Sequence, residues 1–323
     1  MTSELPEKRF GRVDSIATAL VSKGTQRDMY DRLSLEQDRP QMRDFLDVYS
    51  AQEIATDTKR VEQLERKFGE DIERMSAHSA ELSAEAREQA EVAETLLAKL
   101  AELNNWLGDQ VFVHQTSKFD DLERKTDMVV EFDPEDVGKQ LGISLDLTFG
   151  TQKASNKLGS ISDTLNSDIS KERLGKSSVK YFNPEFKGNK KGQLEVVPVV
   201  IGIDFDRAND LIEKYTSEKR LAARVKENPK DGTAAKLLSE TRKEIEASPI
   251  RKIILREIIA QLDMFIRTGS RLHFPGDKIE SMKKMREMLF AHLESLGENP
   301  AEDDEIQNDT VFNHIMFAVS QKR

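Results

Sequence analysis

Apolar positions along this chain repeat with two periods, and the switch between them marks out its parts. From about Ala51 to Leu107 the period is helical, proline is absent, and Gly69, the one glycine, is where a break is expected. Leu96, Leu100, Leu103 and Leu107 step by four, three and four residues, which sets them on one helical face. The preceding "SAHSAELSAEAREQAEVAE" has high helix propensity but a thin apolar stripe. It reads as a helix lying across its own domain, with a solvated arm or coiled-coil partner as alternatives. Before Ala51, "RPQMRDFLDVYS" is the clearest helical fragment.

The period shortens at Gly108. "QVFVHQT", "DMVVEF" and "GISLDLTFG" predict three short strands. In the third, Ile143, Leu145 and Leu147 alternate with Ser144, Asp146 and Thr148, so one face is apolar and the other polar. Leu158, Ile161, Leu165 and Ile169 restore helical spacing over 153–172. "LEVVPVVIGIDFD" predicts a buried strand that begins or kinks at Pro198. "RANDLIEKYTSEKRLAARVKE", "SPIRKIILREIIAQLDMFIRTGS", "DKIESMKKMREMLFAHLESLG" and "TVFNHIMFAVSQ" are helical, and "ENPAEDDEIQND" reads as a solvated acidic linker. The expectation is an α/β (α+β) chain with a small mixed sheet of about four strands in αβββαβ order. The second and third strands pair as a hairpin, the helix at 153–172 crosses over to the fourth, and helical extensions lie at both ends.

Composition narrows the chemistry. With no cysteine, disulfides, thiolate metal sites and cysteine nucleophiles are excluded. The five histidines form no HExxH pair, which argues against a histidine-built metal site. The net charge of −10 rules out uniform attraction to polyanions, so any such site must be a local patch. No apolar run approaches the roughly 20 residues of a membrane span, and the expectation is a cytoplasmic chain without membrane contact. "GKSSVK" at Gly175–Lys180 lacks the upstream glycine of a phosphate-binding loop and reads as an ordinary loop.

The candidate chemistry lies in "KTDMVVEFDPEDVGKQLGISLDLTFG". Asp127 opens the second strand and Asp146 sits on the polar face of the third. If those strands pair antiparallel, the two carboxylates meet at one margin of the sheet. There they repel and lose hydration, and a divalent cation relieves both penalties. Mg²⁺ favours one or two carboxylates with waters and phosphate oxygens. The plainer alternative is that Asp127 starts a strand after a turn and Asp146 faces solvent. His114, near the end of the first strand, reads as a half-buried strand residue or as a base beside Asp127. Trp106 reads as core.

The strand order and "TD" at Thr126–Asp127, followed by "LDLT" at Leu145–Thr148, resemble the restriction-endonuclease-like PD-(D/E)xK nuclease superfamily over about residues 90–218. The resemblance implies a metal-dependent nuclease using Mg²⁺ or Mn²⁺ held by Asp127 and Asp146. It implies a nuclease-like core at 86–220, between an N-terminal helical extension (1–85) and a C-terminal helical region (221–323). Thr126 stands at the family's proline and Thr148 at its catalytic lysine. Lys157, ahead of Lys153, is the expected substitute from the next helix, and both lysines also read as solvated. The family's helical glutamate falls on Glu91, Glu94 or Glu102.

Between residues 153 and 191, nine Lys and Arg stand against four acids, interleaved with Tyr181, Phe182 and Phe186. Such a segment suits phosphates and unpaired bases, although Tyr181 and Phe182 read better as packing residues. Two functions therefore stand: a Mg²⁺-dependent endonuclease, or an inactive nuclease-like scaffold that binds protein partners or a second copy through its long helices.

Overall fold

The computed structural model describes residues 39–74, 92–149, 154–159, 177–271, 274–297 and 300–321. Its helices are α1 (Ala51–Glu73), α2 (described over 92–103), α3 (Lys118–Arg124), α4 (Pro134–Val137), α5 (154–159), α6 (Phe205–Glu227), α7 (Gly232–Glu246), α8 (Ile250–Arg271), α9 (Gly276–Ser295), α10 (Pro300–Gln307) and α11 (Thr310–Ser320). The strands are β1 (Val111–Gln115), β2 (Met128–Phe132), β3 (Leu141–Thr148), β4 (Ser178–Phe182) and β5 (Gly192–Gly202).

They form one mixed sheet in the order β1-β2-β3-β5-β4. β1, β2 and β3 run antiparallel in turn, β5 lies parallel to β3, and β4 closes the far edge antiparallel to β5. The α/β class, the antiparallel β2–β3 pair and the parallel return are as the hydrophobic pattern predicts. The sheet has five strands, not four. β4 takes its residues from the basic aromatic stretch and includes Ser178 to Lys180, which read as a loop.

The alternation in β3 decides how the sheet is covered. Ile143, Leu145 and Leu147 enter the main core with Leu96, Leu97 and Leu100 of α2 and with the apolar faces of α8, α9 and α11. A smaller cluster gathers Val129, Val179, Phe182, Leu194 and Val196. The 3-10 turn at Met42–Phe45 and α1 dock on β4 and α3, where Phe45, Val61, Phe119 and Tyr181 are buried together.

β5 carries Pro198 mid-strand, opposite Ser144. In a parallel ladder, alternate residues point their polar groups to opposite sides. Val196 N donates to Ser177 O at 2.8 Å, Val200 N to Gln261 Oε1 at 3.0 Å, and Gly202 N to Glu257 Oε2 at 2.8 Å. These even positions turn away from β3, so the N–H that Pro198 lacks is not one the β3 ladder uses. Gln261 also donates from Nε2 to Val200 O at 2.7 Å, so a side chain of α8 stands in for a missing neighbour strand.

Several local expectations are corrected. Gly69 lies within α1 without a break. α2 stops at residue 103; Asn105 and Gly108 take positive φ (48° and 104°), Leu103 is exposed, and Leu107 is buried from the turn rather than the helix. "RPQMRDFLDVYS" holds only a 3-10 turn, Met42–Phe45. The acidic linker contains α10, whose Ile306 is fully buried and whose Asp303 and Glu305 pair with Arg256 and Arg207. The alanine- and glutamate-rich stretch 76–91 lies outside the described residues.

Candidate active site

β1 and β3 end, and β2 begins, at the same margin of the sheet. The β2–β3 register runs Met128↔Leu145, Val129↔Ser144 and Val130↔Ile143. Continued by one residue, it sets Asp127 opposite Asp146. Asp127 N donates to Leu145 O at 2.9 Å, and Leu147 N donates to Asp127 Oδ2 at 2.6 Å. The backbone of β3 thus fixes the carboxylate that β2 supplies. Thr116 Oγ1 donates to Thr126 O, and also to Asp127 O at 3.2 Å, which holds the turn into β2.

Burial and mutual repulsion shape these acids. The Asp127 carboxyl is pushed up to about 8, first by burial and then by the charges of Asp146 and Asp121, against the opposing effects of Lys157 and the Leu147 N–H. Asp146 is raised by burial, and Lys157 opposes this. Glu94, on α2, lies well above the usual carboxylate range through burial and the charges of Asp127 and Asp121, with Lys157 and Arg39 opposing. Of the three candidate glutamates, Glu94 therefore joins this electrostatic cluster. Glu102 instead accepts from Val113 N at 2.6 Å. Glu91 lies outside the described residues.

Lys157 reaches back from α5. Its Nζ donates to Asp146 Oδ1 and to Leu147 O. Asp127, Asp146 and Lys157 are thus brought together, although they come from two strands and a helix. Lys153 lies outside the described residues. Thr148 is buried, and its Oγ1 has no hydrogen-bond partner among the described residues. Sequence reasoning missed two members of this cluster, Asp121 and Arg39, joined at 2.6 Å with Arg39 buried. They lie 82 residues apart, and no local pattern relates them.

Other candidates fall outside the site. His114 Nε2 bonds Glu131 Oε2 at 2.7 Å, not Asp127. Glu131 is fully buried and also accepts from Glu185 N, Phe186 N and Asn189 Nδ2, which pins the β4–β5 loop. Trp106 is core, as expected. In the basic segment, Lys180 pairs with Asp57 at 2.6 Å and Lys191 with Asp47 at 2.8 Å, while Lys187 and Lys190 are exposed. Tyr181 and Phe182 are buried and Phe186 packs on Phe112, so these rings face the protein. Lys171, Arg173 and Lys176 lie outside the described residues.

Asp127 and Asp146, with the Leu147 carbonyl beside them, offer only oxygen donors, the kind Mg²⁺ and Mn²⁺ prefer. Among the described residues no three His, Asp or Glu side chains form a group arranged to hold a metal ion. Among the described residues no helix is long and apolar enough to cross a membrane. No family model, curated protein or solved structure matches the chain.

Proposed function

We propose that this chain is a nuclease-like protein of the PD-(D/E)xK type, acting on phosphodiester bonds of DNA or RNA. One observation carries the reading: a lysine from the helix after β3 bonds the carboxylate of Asp146, next to a second buried aspartate. That arrangement restores the positive charge that Thr148 cannot supply.

Asp127 and Asp146 would hold Mg²⁺ or Mn²⁺. When bound, such an ion supplies charge to a phosphate in flight and lowers the pKa of a coordinated water. Asp127 would release its proton as positive charge arrives, since burial and repulsion alone keep that proton on. Glu94, raised by burial and by the charges of Asp127 and Asp121, would be the candidate for a proton donor or acceptor beside them. Lys157 would orient a water or a phosphoryl oxygen with its ammonium, a role that needs position as well as charge. Exposed Lys187 and Lys190 offer phosphate contacts on the β4–β5 loop.

The test uses the full chain with labelled single- and double-stranded DNA and RNA, in Mg²⁺ and in Mn²⁺, beside calorimetric metal titration. Wild type is expected to cleave at least one of these. Asp146→Asn is expected to lose cleavage by about 100-fold or more and to weaken metal binding. If wild type leaves every substrate intact and Asp146→Asn leaves the titration unchanged, the enzyme reading fails. An inactive scaffold, acting through its helices, is then the better account.

A further inference from the structure

We propose that Ser155 and His314 form a clamp that sets the position of Lys157; its catalytic consequence rests on the nuclease-like reading above. Ser155 Oγ and His314 Nε2 lie 2.5 Å apart, half-buried, across 159 residues of sequence. Ser155 is two residues from Lys157 on α5.

Helix geometry makes that spacing informative. At about 100° per residue, positions 154 and 158 share a ridge, with 155 on one flank of it and 157 on the other. Ala154 and Leu158 are buried in the main core, so this ridge faces inward. Ser155 reaches α11 from one flank, and Lys157 reaches Asp146 and Leu147 from the other. The described part of α5 is thereby tied on three sides. Loss of the Ser155 tie would leave it free to roll about the ridge, and the Lys157 ammonium would move with it.

α11 is itself seated at the site's end of the sheet. Gly202 pairs with Thr148 across the β3–β5 ladder. A Cβ on Gly202 would lie 2.5 Å from Ile315 Cδ1 and 2.6 Å from Val311 Cγ1, so α11 packs directly on this glycine and a side chain there would force those two to shift. Asp309 caps α11, accepting from Val311 N at 3.0 Å and Phe312 N at 2.8 Å, and its other oxygen meets Arg207 Nε at 3.0 Å. His314 adjoins Ile315 on this fixed helix. A continuous path therefore runs from β5 through α11, His314, Ser155 and α5 to the ammonium at Asp146. Lys157 is the candidate catalytic residue; Ser155 and His314 are positioning residues.

The test has one readout that needs no nuclease activity. Reductive methylation of each lysine, followed by mass spectrometry, reports how well Lys157 is protected by its ion pair, with exposed Lys187 and Lys190 as internal references. In His314→Ala, Lys157 is expected to methylate faster while the reference lysines do not, and His314→Gln, which keeps a polar partner for Ser155, is expected to restore protection. In cleavage assays His314→Ala is expected to lower kcat by about tenfold with little change in KM. Gly202→Ala, which displaces α11, should act in the same direction. If His314→Ala does not fold by circular dichroism, Ser155→Ala tests the same bond from the other side. Unchanged Lys157 methylation and kcat overturn the clamp, as does faster methylation of all lysines together. If wild type cleaves nothing but Lys157 protection still depends on His314, the clamp stands and the nuclease reading falls.

Discussion

Asp127 shows what a single side chain at the sheet margin costs. Burial, with the charges of Asp146 and Asp121, pushes its native carboxyl up to about 8, while the unfolded chain loses that proton at about 3.9. Between those values the native state binds more protons than the unfolded state, so stability falls as pH rises through this window. The contribution is fully present below the unfolded pKa and is lost by about pH 8. Asp127→Asn removes the linkage and keeps an oxygen for the Leu147 N–H. The variant is expected to melt higher than wild type at pH 8, by an amount on the order of 2–5 kcal/mol in stability, with the gap closing toward pH 4. Thermal melts at both pH values check it, and a gap independent of pH would count against it. Excess Mg²⁺ is expected to raise the melting temperature of wild type only. The facing of Asp127 and Asp146 was legible because period-2 alternation and antiparallel pairing together place opposite residues on one face. Glu94 was not, since which of three helical glutamates reaches the margin depends on how α2 lies across the sheet. The contribution of Arg39 was hidden because its partner, Asp121, is remote in sequence.

At the scale of an element, β5 is informative. Its outer edge past Pro198 has no partner strand among the described residues, and Gln261 of α8 satisfies both polar groups of Val200. Gln261→Leu leaves a buried N–H and C=O unpaired. It is expected to cost about 2–4 kcal/mol, read as a lower urea midpoint with an unchanged slope. A loss below about 0.5 kcal/mol would mean that water reaches this edge. Glu257 is fully buried on the same helix: burial, with the charge of Asp309 adding to it, holds its carboxyl well above the ordinary range, and the Gly202 N–H opposes. Glu257→Gln keeps an acceptor for that N–H, and is expected to raise stability increasingly as pH climbs above the ordinary glutamate range, because wild type alone must hold a proton there. Melts across pH 5 to pH 8, a range set at about the usual glutamate pKa and upward, read the trend. The helix of Ile250–Arg271 was plain from its apolar period, but its role as a substitute strand was not. β4 was hidden because Ser178 to Lys180 read as a loop and Tyr181 and Phe182 only as packing residues; pairing with β5, Asp57 and the ring cluster make them an edge strand.

At the scale of the molecule, one core runs from α2 through the sheet to α8, α9 and α11. Leu255, Ile258, Leu262, Met285, Leu289 and Ile315 are wholly buried in it. A chain ending before Ile250 would expose the sheet residues those side chains cover, such as Val199 and Ile201. It is expected to lack the near-ultraviolet dichroism and dispersed amide spectrum of a packed protein, and a folded fragment would show that residues up to 249 suffice for a core.

The chain's own alternation of apolar and polar residues determined where most helices and strands lie, and that two acids would share a margin if β2 and β3 paired antiparallel. These are short-range consequences of the 3.6 and 2.0 periodicities of helix and strand, so they can be read along one dimension. The sequence named Lys157 as the lysine to answer Asp146 but left a solvated side chain open; tertiary packing decided that it does so, that Glu94 rather than Glu102 joins it, and that α11 seats on Gly202 beside them. Those outcomes depend on crossing angles and on proximities between distant residues, which arise once the core has closed.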